Sequence, residues 1–133
     1  MGKWVKNQSW ELIVREAKLT RKGVIGGGLF EMTAPPGDVF VAVIADIVNL
    51  AGNSKDECVS FMTVTNNKIS LEPIYISTDD GKLVQPAQMN CVPSSGQYAR
   101  HTFYFQFSES ELTGKKLAFG FYDLPLILLA ISK

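Results

Sequence analysis

One histidine, two cysteines and two pairs of adjacent carboxylates are the side chains with most chemistry to offer in this sequence. His101 would serve nucleophilic catalysis only with a serine and an aspartate converging on it, and no Gly-x-Ser-x-Gly elbow is present. A lone histidine also falls short of the His-rich shell of a catalytic zinc ion. It therefore reads as a surface or strand-edge residue, and no catalytic residue is expected. Asp56-Glu57 and Asp79-Asp80 carry the oxygens that calcium takes, but calcium wants about six to eight of them. The Asp-x-Asp-x-Asp-Gly spacing is missing, so these pairs read first as solvated turns.

Cys58 and Cys91 lie 33 residues apart, a separation that matches no zinc or redox motif. They make either one disulfide in an oxidising compartment or two buried thiols in a reducing one. Gly26-Gly27-Gly28 invites a phosphate-loop reading, but the Gly-Lys-Ser/Thr ending and the following helix are both missing. A loop or a crossover between sheets is the expectation there. No metal and no cofactor is expected. Trp4, Trp10, Tyr75, Tyr98, Tyr104 and Tyr122 could build an aromatic platform for sugar rings or a protein. Of these, Trp10 is expected under the edge of the fold, and Trp4 in either a frayed terminus or a contact site. Asn7-Gln8-Ser9 has the pattern of a glycosylation sequon, meaningful only in a eukaryotic secretory setting.

The 133 residues fit one domain with a real core, 46 % apolar and 20 % charged. Thirteen basic and thirteen acidic side chains cancel, which gives no electrostatic reason for a nucleic-acid partner. Lys18, Arg21 and Lys22 read as a solvated strand end. The apolar run Leu124 to Ile131 contains Pro125 and is far shorter than the roughly twenty residues of a spanning helix. Met1-Gly2-Lys3-Trp4 lacks the apolar stretch of a signal peptide. The chain is either cytosolic or a mature domain whose leader was replaced.

The elements that must position these residues are strands. Turn signals at Gly23, Pro36-Gly37, Gly52, Asn66-Asn67, Asp80-Gly81, Ser95-Gly96 and Gly114 recur roughly every fifteen residues. Even spacing of this kind predicts an all-β fold, an antiparallel immunoglobulin-like β-sandwich of seven to nine strands. Residues 1–9 are expected to precede it as an extension, with the sandwich over 10–133. Trp10 to Leu19 alternates imperfectly, which predicts a bulge near Arg15; a short helix is the alternative. Within Val39 to Leu50 the run Phe40 to Val48 is apolar but for Asp46, the pattern of a central strand covered on both faces. Ile69 to Ser77 reads as one strand with Pro73 at a bulge or edge. Asp80-Gly81 predicts a tight hairpin returning through Leu83 to Met89. Phe103, Phe105 and Phe107 alternate with Thr102, Tyr104 and Gln106, so the three phenylalanines are core. Phe40 or Ile44 and Leu129 are expected to join them.

The order of parts resembles a known family. A Pro-Pro-Gly turn precedes the strand from Val39 to Asn49, a hairpin runs from Ile74 through Asp80-Gly81 to Pro86, and Gly96 leads to the aromatic strand His101 to Phe107. Lys116-Leu117-Ala118-Phe119 closes the series. Over roughly residues 10 to 131 this is similar to the telokin-like immunoglobulin sandwich of small bacterial and archaeal extracytoplasmic proteins and lipoproteins. The resemblance implies an extracytoplasmic location, secreted or lipid-anchored, with a cytoplasmic one as alternative. It implies no catalytic residues. In an oxidising compartment a Cys58–Cys91 disulfide is the favoured state of the pair, because the intervening hairpin carries the chain out and back.

The expected function is a non-catalytic binding or interaction module with a protein partner, and not an enzyme. The alternative is a calcium- or glycan-binding module. Trp4, Asp56, Glu57, Asp79 and Asp80 are the candidate contact residues for these readings. The sequence sets no oligomeric state.

Overall fold

The computed structural model describes residues 1–25, 30–50, 60–64, 69–78, 83–84, 98–112, 116–121 and 124–132. In chain order the strands are β1 (Val5–Lys6), β2 (Trp10–Thr20), β3 (Lys22–Ile25), β4 (Phe30–Thr33), β5 (Asp38–Asn49) and β6 (Ser60–Val64). There follow β7 (Ile69–Leu71), β8 (Tyr75–Thr78), β9 (Leu83–Val84) and β10 (Tyr98–Ser108). One turn of helix, α1 (Glu109–Leu112), precedes β11 (Leu117–Phe121), β12 (Ile127–Leu128) and β13 (Ile131–Ser132). Four of these thirteen described strands are only two residues long. The other nine are the β3–β4 pair and seven strands of the two sandwich sheets, within the expected seven to nine.

The protein is a β-sandwich. The larger sheet has the order β1-β2-β5-β10-β8-β9 with β13 also beside β2, and the smaller the order β12-β11-β6-β7. Pairing is antiparallel apart from β13, which runs parallel to β2. Both β1 and β13 lie along the flank of β2 that faces away from β5: β1 opposite Glu11 and Leu12, β13 opposite Ala17 and Lys18. Residues 1–9, expected to stand outside the sandwich, are tied into it through β1. Asn7 closes the turn into β2, its Oδ1 accepting from the backbone N–H groups of Ser9 and Trp10, both at 2.8 Å. The asparagine of the sequon pattern thus does the work of an Asx turn.

The expected bulge is present. Val14 pairs with Ala45 and Glu16 with Ile44, which leaves Arg15 as the extra residue. One inserted residue switches the parity of the buried face: Trp10, Leu12 and Val14 face the core before it, Ala17 after it. Arg15 and Glu16 are consequently both exposed.

The core lies between the sheets. Val41, Val43, Ala45 and Ile47 of β5 and Phe103, Phe105 and Phe107 of β10 meet Leu117, Phe119 and Phe121 of β11. Phe119 is gripped between Phe103 at 5.2 Å and Phe105 at 6.2 Å between ring centroids, and Trp10 meets Phe121 edge-on at 5.5 Å. Such pairs add roughly 0.5–1.5 kcal/mol each beyond the area they bury. Leu129 is half-buried against this core rather than inside it.

A second apolar cluster forms on the outer face of the larger sheet. Phe40, Ala42 and Tyr104 are buried there with Ala34, and Met32, Ile74 and Tyr75 pack against them. The cover is the β3–β4 hairpin, whose register runs from Lys22 opposite Thr33 to Ile25 opposite Phe30. The strands flanking the triple glycine therefore pair with each other, which fits the loop rather than the crossover of the two expectations. Pro36-Gly37 forms the expected turn: the Asp38 N–H donates to the Pro35 carbonyl at 2.9 Å, and Gly37 has φ +85°.

Two apolar segments are each divided between the sheets. Ile69–Leu71 pairs with β6 of the smaller sheet and Tyr75–Thr78 with β10 of the larger, so Pro73 marks a sheet switch. Likewise β12 joins β11, while β13 returns to β2.

Candidate functional site

One part of the outer face of the larger sheet, around Phe40, Ala42 and Tyr104, lies under the hairpin. Another part carries a charged cluster built on three neighbouring strands. Asp46 of β5 stands opposite Ile13 of β2 on one side and opposite Arg100 of β10 on the other. A carboxylate in so apolar a strand must find cationic partners, because burying an unpaired charge is costly. Arg100 supplies two hydrogen bonds, Nε to Oδ1 at 2.8 Å and Nη2 to Oδ2 at 3.2 Å. Arg15 supplies one, Nε to Oδ2 at 3.0 Å. The bulge is what makes that reach available, since it turns Arg15 out onto this face beside Glu16.

The Asp46 side chain is 3 % exposed, whereas those of Arg15 and Arg100 are 47 % and 46 % exposed. Hydrogen bonds from Arg100, then from Arg15, hold the Asp46 carboxyl below its ordinary pKa against the opposing push of burial. Two guanidinium groups thus meet on one buried carboxylate.

Trp4 completes the cluster. The Arg15 guanidinium carbon lies 5.7 Å from the centroid of the Trp4 ring, within cation–π range. The arm carrying Trp4 is pinned on both sides: the Gly2 N–H donates to the Val14 carbonyl at 2.9 Å beside the bulge, and Val5 pairs with Leu12. Trp4 nevertheless remains 46 % exposed. Between the two sequence readings of Trp4, the structure gives an anchored and open aromatic ring.

Other candidates are placed differently. His101 is a correction, for it is buried on the core face and stacked on Phe103 at 6.0 Å and 19° between planes. It continues the alternation of Phe103, Phe105 and Phe107 by one step, a parity the strand pattern already contained. Tyr104 is buried with Phe40 and Tyr75 is half-buried, so neither stands on an open aromatic platform. Trp10 is buried against Phe121 as expected.

Asp56, Glu57, Asp79 and Asp80, and both Cys58 and Cys91, lie outside the described residues, as do the side chains of Tyr98 and Tyr122. The strands flanking Asp80-Gly81 do form a hairpin, with Ser77 opposite Leu83 and Ile76 opposite Val84. Among the described residues no three His, Cys, Asp or Glu side chains gather as metal ligands. No helix among them is long and apolar enough to cross a membrane.

Neither a family model nor a curated protein sequence matches the chain. Solved structures do. An uncharacterized β-sandwich protein from Clostridium difficile 630 superposes with a TM-score of 0.69 at 14 % identity, covering 98 % of this chain and 91 % of its own. A conserved hypothetical protein from Bacillus anthracis gives 0.69 at 11 % identity, covering 98 % and 94 %. At such identities the likeness carries the fold and nothing about activity.

Proposed function

We propose that this chain is a non-catalytic interaction module of the telokin-like immunoglobulin kind, acting outside the cytoplasm on a protein partner. The observation that supports the reading is Trp4 with Arg15 and Arg100, exposed on a sheet face and fixed by a buried carboxylate. Tryptophan and arginine are the residues most enriched where proteins bind one another. Here the two arginines stand on paired strands and Trp4 on an arm tied to β2, so less side-chain freedom is left to lose on binding.

A photo-crosslinking amino acid at position 4, in the producing organism, tests this directly. A discrete cross-linked protein is expected from position 4 and not from Leu128, which is exposed on the smaller sheet. No product from position 4 would remove the outer face as the contact surface. A saturable response to calcium or on a glycan array would move the assignment to the ligand-binding alternative. The extracytoplasmic part has its own test. Non-reducing mass spectrometry of natural material is expected to find Cys58 bonded to Cys91, and two free thiols would count against it.

A further inference from the structure

Arg15 engages Asp46 through Nε, and its two terminal nitrogens make no hydrogen bond to the protein. Four N–H donors in the plane of a guanidinium are thus left on a side chain held from two directions, by a buried carboxylate and by an indole ring. Paired terminal N–H groups of arginine match the two oxygens of a carboxylate or phosphate. Fixing the side chain beforehand removes part of the ordering cost of such a contact.

The charge around the site selects between those anions. Glu11 and Glu16 lie on the same face of the larger sheet as the Arg15–Asp46–Arg100 cluster. A phosphate dianion or an anionic lipid surface would meet these two glutamates along with the arginines. A single carboxylate brings half the charge of a phosphate dianion and is met by the paired terminal N–H groups of Arg15 alone. The chain as a whole is neutral, which gives no long-range attraction to a polyanion.

We infer that Arg15, held over Trp4 by the buried Asp46, receives a carboxylate from an acidic segment of a protein partner, and that an apolar side chain of the segment covers the exposed part of the Trp4 ring. The inference rests on the outer face being the binding surface and adds the chemistry of what binds there. Asp46 acts as the positioning residue, Arg15 makes the charged contact and Trp4 the apolar one.

Selection of a random peptide library on the full chain tests it. Enriched peptides are expected to carry Asp or Glu beside an apolar residue. In the best of them, exchanging the acid for its amide should weaken binding about tenfold, as loss of a charge-assisted hydrogen-bond pair does. Arg15→Gln should cost as much and should abolish the difference between acid and amide peptides. Trp4→Ala, which leaves the Asp46 contacts in place, should weaken both peptides alike. Should Arg15→Gln fail to fold, Arg15→Lys keeps the charge without the paired donors and should still bind the acid peptide more weakly.

Enriched peptides that need Trp4 but no acid would overturn the carboxylate assignment and leave the outer face as a binding surface. Displacement of the peptide by inorganic phosphate or phosphatidylserine vesicles at lower concentration than by free glutamate would overturn it in the same way. A dimer of the chain, disrupted by Arg15→Gln, would replace the foreign partner by a second copy. Enrichment indifferent to both Trp4 and Arg15 would end the inference and the outer-face reading together.

Discussion

Arg100 stands directly opposite Asp46 in the ladder between β5 and β10, and it makes two of the three hydrogen bonds through which the two arginines hold that buried carboxylate. The arginines are therefore unequal. Arg100 joins two central strands of the larger sheet, whereas Arg15 reaches the same carboxylate from a bulge.

Loss of the bidentate partner should cost more. Arg100→Ala is expected to destabilise the fold by about 2–3 kcal/mol, and Arg15→Ala by about 1 kcal/mol. The larger figure reflects a buried carboxylate left with one bond; the half-exposed arginines themselves lose little hydration on folding. Urea denaturation of the two variants measures the difference. Equal midpoints would mean that the bidentate geometry contributes nothing beyond the charge.

The same carboxylate makes stability depend on acid. The pKa of Asp46 is lowered in the folded protein, chiefly by Arg100, from the ordinary value near about 3.9 that it has when unfolded. A depressed folded value means that ionised Asp46 stabilises fully above about pH 4 and loses this contribution as pH falls through the folded value. Asp46→Asn should therefore be less stable than the natural protein at neutral pH, with the gap closing on acidification. Thermal melts from pH 7 down to pH 2.5 test this, and a gap that stays constant would show that the charge of Asp46 is not its source.

How far these features were legible differs by their range along the chain. The bulge at Arg15, the Pro36-Gly37 turn and the phenylalanine alternation are local patterns, and each is found where the sequence places it. His101 was equally local, since its parity with Phe103 puts it on the core face. The charged cluster was not. Asp46 shows in the sequence only as a break in an apolar strand, and its partners are 31 and 54 residues away. Strand pairing is what converts that break into a site. The divisions at Pro73 and after Leu128 also depend on tertiary pairing, because an apolar segment looks the same whichever sheet receives it.

Phe105 is fully buried and meets Phe119 edge-on, so truncating it would leave a cavity in the core. Phe105→Ala should cost about 3–5 kcal/mol, while Leu129→Ala, at a half-buried position, should cost about 1 kcal/mol. Chemical denaturation of both variants checks the ranking. Comparable losses would place the weight of the core nearer to β12 and β13 than the packing shows.

Gly23 tests how tightly the hairpin sits on the sheet. A Cβ at this position would lie 2.8 Å from Met32 Cε and 2.9 Å from Tyr104 Cε1. Met32 can swing its terminal methyl aside, but the Tyr104 ring is buried against Phe40 and cannot. Replacing glycine by alanine in a strand would by itself gain about 0.5–1 kcal/mol from chain entropy. Overpacking of this kind costs about 1–3 kcal/mol, so Gly23→Ala should be destabilising on balance. Because β3 and β4 pair only with each other among the described strands, the loss should be local. Amide exchange should quicken in β3 and β4 while β5 and β10 stay protected. Adding Met32→Ala should not restore the hairpin, since the contact with Tyr104 would persist. Recovery in that double variant would show that the flexible methionine, not the tyrosine ring, sets the limit.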